Sequence, residues 1–155
     1  MNPMLYNLHM TNFKLIETIL WENGDYFLLE KHLDRLLSSA TFFDYACDIK
    51  KTLELLESTS ISFNKNNQYK IRLLCNSLGD IEIFVSLLQK EILATKKITI
   101  SNIKTDEKNI FLKHKTTNRK MYDMEFEKCR KDGCFDVIFF NTKGELTEGS
   151  ITNII

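Results

Sequence analysis

Branched and aromatic residues dominate positions 13 to 21, FKLIETILW, and the polar run Glu22-Asn23-Gly24-Asp25 interrupts them before YFLL resumes an apolar stretch. The Asn-Gly pair suits a tight two-residue turn, so this region predicts a β-hairpin. From Glu30 the period changes. Leu33, Leu36, Leu37 and Ala40 recur at helical spacing, and the pattern runs through Phe43 towards Ala46. A second helical stretch, DIKKTLELLES, sets Ile49, Leu53 and Leu56 on one side ahead of the polar break NKNNQ. YKIRLLC and IEIFVSLL bracket the turn Ser77-Leu78-Gly79-Asp80 as another hairpin, and KKITISNIK reads as a further strand of the same sheet.

Residues 105 to 114 are polar and charged without a clear period and predict a linker. A helix is expected from near Thr116 to Gly133, followed by the strand DVIFFN, the turn Thr142-Lys143-Gly144-Glu145 and a last strand through ELTEGSITNII. The expected class is α+β: a small two-layer α/β domain over residues 1–105, then the beginning of a larger β-rich domain over 106–155. The chain stops on an apolar strand, which predicts an unpaired edge and exposed apolar surface at that end.

Composition narrows the function classes. Lys plus Arg and Asp plus Glu are each 21, so no net basic field argues for nucleic acid or an anionic membrane. With 43% hydrophobic and 27% charged residues and no apolar run of membrane-spanning length, a soluble protein acting on small molecules is expected. The start MNPMLYNLHMTNFK lacks the layout of a secretory signal, which points to the cytoplasm. Cys47, Cys75, Cys129 and Cys134 form no C-x-x-C pair, so reduced, packed thiols are expected rather than a zinc site.

Three polar clusters remain: His32 and Arg35 in KHLDRLLSSA, Lys115 in HKTTNRKMYD, and Glu148 in GELTEGSITN. A lysine, an arginine and a carboxylate each answer one part of pyridoxal phosphate, namely its aldehyde, its phosphate and its ring nitrogen. Spacing alone also allows blander roles. Arg35 beside Asp34 and Lys31 suits a solvated helix face, Lys115 lies among Lys113, Arg119 and Lys120, and Glu148 fits a turn before Gly149.

A resemblance carried by longer motifs shifts the balance between these. FKLIETILWENGDYFLLEKHLDRLLSSATFF resembles the opening segment of the fold-type IV, or class IV aminotransferase, enzymes, with its E-T strand and H-L-x-R-L-x-x-S-A helix. HKTTNRKMYD is similar to the cofactor-lysine segment of that family, above all in aminodeoxychorismate lyases, including those fused to a para-aminobenzoate synthase component. DVIFFNTKGELTEGSITNI resembles the family's N-x-x-G-E-x-T-E-G-S-x-x-N segment.

The resemblance implies a pyridoxal phosphate enzyme whose larger domain is a pseudo-barrel. It makes Lys115 the cofactor-bearing lysine and general base, Arg35 a contact to the phosphate and Glu148 the partner of the ring nitrogen. Ser150, Thr152 and Asn153 would line or order the same pocket, Glu17 and Thr18 would face the substrate, and His32 would brace its helix. It further implies a homodimer with each site near the subunit boundary, and no metal. The reaction implied first is aminodeoxychorismate lyase chemistry, giving 4-aminobenzoate and pyruvate; a branched-chain or D-amino-acid type aminotransferase is the alternative. Family members continue beyond the point matching Ile155 into a second phosphate-binding turn, so a fragment or a catalytically silent remnant is also expected as an outcome.

Overall fold

A computed structural model describes residues 13–89 and 95–152. Among these it has three α-helices and two sheets, a mixed α/β architecture. The chain divides into two compact units, the first Met1–Lys90 with His114–Thr117 and the second Glu91–Lys113 with Asn118–Ile155.

The first unit is a four-stranded antiparallel sheet, order β2-β1-β3-β4, with β1 at Leu15–Glu22, β2 at Asp25–Tyr26, β3 at Gln68–Cys75 and β4 at Ile81–Leu88. The β1–β2 hairpin turns through Asn23 and Gly24, at φ 55° and 95°, the positive values that an Asn-Gly turn supplies. Helix α1, Leu29–Phe43, and helix α2, Ile49–Ser60, follow. Asp48 caps α2 by accepting from the Lys51 N–H at 3.1 Å.

Alternation along β1 and β3 turns Leu15, Glu17, Ile19 and Trp21 together with Ile71, Leu73 and Cys75 to one face, and all seven are buried. Leu33, Leu36, Ala40 and Phe43 of α1 and Leu56 of α2 complete this core. At one end Phe13 packs edge-on against Phe43, and at the other Trp21 meets Phe63 and Tyr69.

The second unit holds a three-stranded sheet, order β5-β6-β7, made from Ile98–Ile100, Asp136–Phe140 and Leu146–Gly149. β5 runs parallel to β6, and β7 runs antiparallel to it. Helix α3, Lys120–Lys131, lies in the crossover between the parallel strands, the kind of connection a parallel pair requires. Its apolar side meets β6 in a cluster of Cys129, Val137 and Phe139 with Met121, Tyr122 and Cys134 around it.

Several expectations change. YFLL forms no full strand: β2 ends at Tyr26, Leu28 turns left-handed at φ 52° and α1 begins at Leu29. α1 stops at Phe43 because Asp44 is left-handed, with the Tyr45 N–H closing onto the Ala40 carbonyl. The strand expected at 96–104 is short and belongs to the second sheet, which moves the boundary between units from residue 105 to residue 90. α3 starts four residues later than Thr116 because 114–117 pair with β1 instead. The stretch 105–114, expected as a linker, holds a bridge from Thr105 to Asn141 and a 3-10 turn at Ile110–Leu112. All four cysteines are free thiols, with Cys75 and Cys129 buried.

Gly79, at φ 84°, brings the β3–β4 turn against the backbone after α1, where a Cβ would lie 1.7 Å from the Ala46 carbonyl oxygen. Gly79→Ala is expected to destabilise the protein by about 3 kcal/mol, combining left-handed strain with the displacement of Ala46. Urea unfolding midpoints of the two proteins check this; equal midpoints would contradict it.

Candidate active site

In the first unit, the lysine segment is built onto the free edge of β1. The Ile16 N–H donates to the Lys115 carbonyl at 2.8 Å, the Thr117 N–H donates to the Lys14 carbonyl at 2.8 Å, and Leu15 faces Thr116 in an antiparallel bridge. The Lys14 N–H also donates to Thr117 Oγ1 at 2.9 Å. His114 stacks on Phe42 of α1 with ring centroids 4.4 Å apart, and its Nδ1 lies 3.0 Å from Ser39 Oγ. These contacts place the even-numbered residues, His114 and the buried Thr116, on the helix-covered side. By alternation half-buried Lys115 points to the opposite face of the sheet.

Thr18 shares that opposite face, whereas Glu17 does not. Expected together on the substrate side, Glu17 and Thr18 are separated by the pleat of β1. Glu17 is 1% exposed beneath α1. Arg35 donates to it from Nε at 2.7 Å and Nη2 at 2.5 Å, and His32 Nδ1 lies 2.7 Å from Oε2. Burial pushes the Glu17 carboxyl up, but the hydrogen bonds and charges of Arg35 and His32 outweigh it and the net shift is downward. Arg35 thus spends two of its nitrogens on an internal carboxylate while its side chain stays 45% exposed. His32 ties its helix to β1.

In the second unit, Glu148 is the last residue but one of β7 and accepts from the Tyr122 hydroxyl at 2.6 Å. Burial first, then this bond, push the Tyr122 phenol well above its ordinary value, so it remains a donor. After Glu148 the chain turns through Gly149, where a Cβ would lie 2.5 Å from both Asp136 Oδ2 and Thr152 Oγ1.

Asp136, buried at the start of β6, organises this turn and was not singled out in the sequence. It accepts from the Ser150 hydroxyl, from Thr152 Oγ1 at 2.5 Å, from the Thr152 N–H at 3.0 Å and from the Val137 N–H at 2.7 Å. Burial raises its carboxyl, the Ser150 and Thr152 hydroxyls lower it, and the net direction is downward. The Ser150 and Thr152 hydroxyls are therefore directed into the protein and order the turn. The available signal was the acidic residue heading an otherwise buried apolar strand, which must be answered by several donors. Asn153 lies outside the described residues.

The Amino-transferase class IV family model matches residues 14–155. The chain belongs to the class IV aminotransferases. It is 27% identical over 158 residues to a Schizosaccharomyces pombe protein provisionally named an aminodeoxychorismate lyase, covering 94% of this chain and 63% of that one. The chain thus spans less than two thirds of this curated relative.

Among solved structures, a provisionally assigned amino-acid aminotransferase of Mesorhizobium loti matches with a TM-score of 0.82 at 26% identity, over 91% of this chain and 68% of that one. A provisionally assigned 4-amino-4-deoxychorismate lyase matches with a TM-score of 0.77 at 21% identity, over 97% and 62% of the two chains, and supports the fold. A Mycobacterium tuberculosis aminotransferase of hypothetical assignment, solved with pyridoxal phosphate bound, has a TM-score of 0.68 at 19% identity over 88% and 55%. Class IV aminotransferases are pyridoxal phosphate enzymes. Each unit, taken by itself, carries residue types that such a group takes: the first a lysine on a fixed segment and a guanidinium bound to a buried carboxylate, the second a phenol-bonded carboxylate beside an ordered turn. No helix among the described residues is long and apolar enough to cross a membrane.

The Glu17 contacts generate a pH prediction. A carboxyl whose folded-state pKa is depressed adds stability above its unfolded value, about 4.3, and loses it as pH falls through the folded value. Glu17→Gln should cost about 2 kcal/mol at neutral pH, since it leaves Arg35 without its charged partner. The gap between the two proteins should narrow as pH falls below the unfolded value and close once it passes below the depressed folded one. Urea titrations at a series of pH values check this, and a gap independent of pH would rule it out.

Proposed function

We propose that this chain is a pyridoxal phosphate-dependent aminodeoxychorismate lyase, converting 4-amino-4-deoxychorismate to 4-aminobenzoate and pyruvate in folate biosynthesis. The observation that carries the reading is the lysine segment: two backbone hydrogen bonds fix it to β1, and Lys115 is directed to the face of the sheet that the helices leave, on the side of Thr18. K-T-T-N-R followed by Tyr122 and then E-G-S supports lyase chemistry, as does the name carried by the S. pombe relative.

The group supplies an aldehyde for condensation with an amine and a ring that accepts electrons from a breaking substrate bond. Lys115 is the residue to hold it covalently. When free, its amine would take a proton from a substrate carbon and return it elsewhere. Glu148 keeps a proton at the ring nitrogen, with Tyr122 as its donor. Arg35 donates to Glu17 on the helix-covered side of the sheet, away from the face of Lys115, so its part here is to fix α1 over β1 and it is not assigned the phosphate. Ser150 and Thr152 act by shaping the turn through Asp136, and Asn153 is assigned to the same pocket by its motif alone. Thr18 is the substrate-side residue of β1. A homodimer in the cytoplasm is part of the same proposal.

The second reading is an amino-acid aminotransferase, supported by the M. loti structure. That reaction would use the same Lys115 to move the proton taken from the substrate carbon, with the amino group ending on a keto acid.

Pyridoxal phosphate added to the purified chain, followed by borohydride reduction and peptide mass mapping, should label Lys115, and Lys115→Ala should abolish the label. Production of 4-aminobenzoate with equimolar pyruvate then favours the lyase, and amino transfer dependent on a keto acid favours the second reading. A label elsewhere, or none, would reject this cofactor assignment and leave a catalytically silent chain.

A further inference from the structure

The first turn of α3 grips the carboxylate turn at two points. Tyr122 donates to Glu148 Oε1 at 2.6 Å, and Arg119 donates from Nη2 to the Ser150 carbonyl. The Tyr122 ring is itself held in place. It meets Phe139 of β6 edge-on with centroids 4.8 Å apart, and the Arg119 guanidinium lies over it at 5.6 Å. Arg119 Nε is in turn fixed by Asp123 at 3.0 Å, one turn along the helix. A glutamate has three rotatable bonds, and a terminal carboxylate is readily turned by any donor nearby. A phenol on a ring packed from two sides restricts that freedom, and its charge-assisted bond is stronger than one between neutral groups.

We infer that Tyr122 is a positioning residue for Glu148, its hydroxyl holding one carboxylate oxygen so that the other is presented in a fixed direction to a protonated ring nitrogen. This rests on the cofactor assignment proposed above. Tyr122 touches neither substrate nor cofactor in this role. It acts through Glu148, and Arg119 keeps both the ring and the following turn in register.

The test uses two variants and two readouts. Tyr122→Phe removes the hydroxyl and keeps the ring against Phe139, so its melting temperature should stay within about 3 °C of wild type. Its dissociation constant for pyridoxal phosphate, read by fluorescence quenching, should rise about tenfold. Separately, with no cofactor added, the Tyr122 ring carbon is followed by NMR as pH is raised. In wild type the phenol should resist ionisation well past the ordinary value near 10, and Glu148→Gln should bring it back towards that value.

Both results together support the proposal. Equal cofactor affinity in wild type and Tyr122→Phe overturns it, as does a phenol titration indifferent to Glu148→Gln. A wild-type chain that fails to bind pyridoxal phosphate overturns the functional reading and this proposal with it. The titration, which needs no cofactor, then shows whether the hydrogen bond itself was at fault.

Discussion

A carboxylate withdrawn from water must be met by donors or it destabilises whatever encloses it, and in the first unit that obligation falls on Glu17. It lies on β1 among Leu15, Ile19 and Trp21, where an apolar residue would satisfy the strand pattern. Arg35 and His32 are one helical turn apart on α1, and both reach the same carboxylate. The helix is therefore fixed in rotation and in height over the sheet, which hydrophobic contact alone leaves loosely specified. Through α1 the constraint passes to Ser39 and Phe42, which receive His114, and so to the segment that carries Lys115.

The second unit repeats the device with different residues. Asp136 is also a buried carboxylate on a strand, and its donors come from the turn it organises. In both units the group suited to chemistry is displaced by a step from the group that fixes geometry. Lys115 is steadied by contacts that lead back to Glu17, and Glu148 by a turn that closes onto Asp136.

Much of this was legible in the chain itself. The Asn-Gly turn and the 3.6 period of α1 are local signals that local physics decides, whereas the E-G-S and K-T-T-N-R motifs were legible only as a family resemblance. What was hidden is non-local. Nothing near Ile98 announces that its strand pairs with residues almost forty positions onward, and nothing near Thr116 announces that it ends as a strand against Leu15 and not as the start of a helix. Glu17 beside Thr18 looked like a pair of substrate-facing residues. Strand alternation instead puts one in the core under α1 and leaves the other, half-buried, on the opposite face. Arg35 could be recognised as an anion binder, but its partner inside the protein could not.

The short pairing of 114–117 with 14–16 joins parts of the chain about a hundred residues apart. Closing so large a loop carries an entropy cost that few hydrogen bonds repay until the surrounding sheet and α1 exist to receive them. On this argument the lysine would be among the last groups to reach its place during folding. Its reactivity towards an aldehyde would then mark a finished molecule, and a partly folded chain would present the same amine without the strand that aims it.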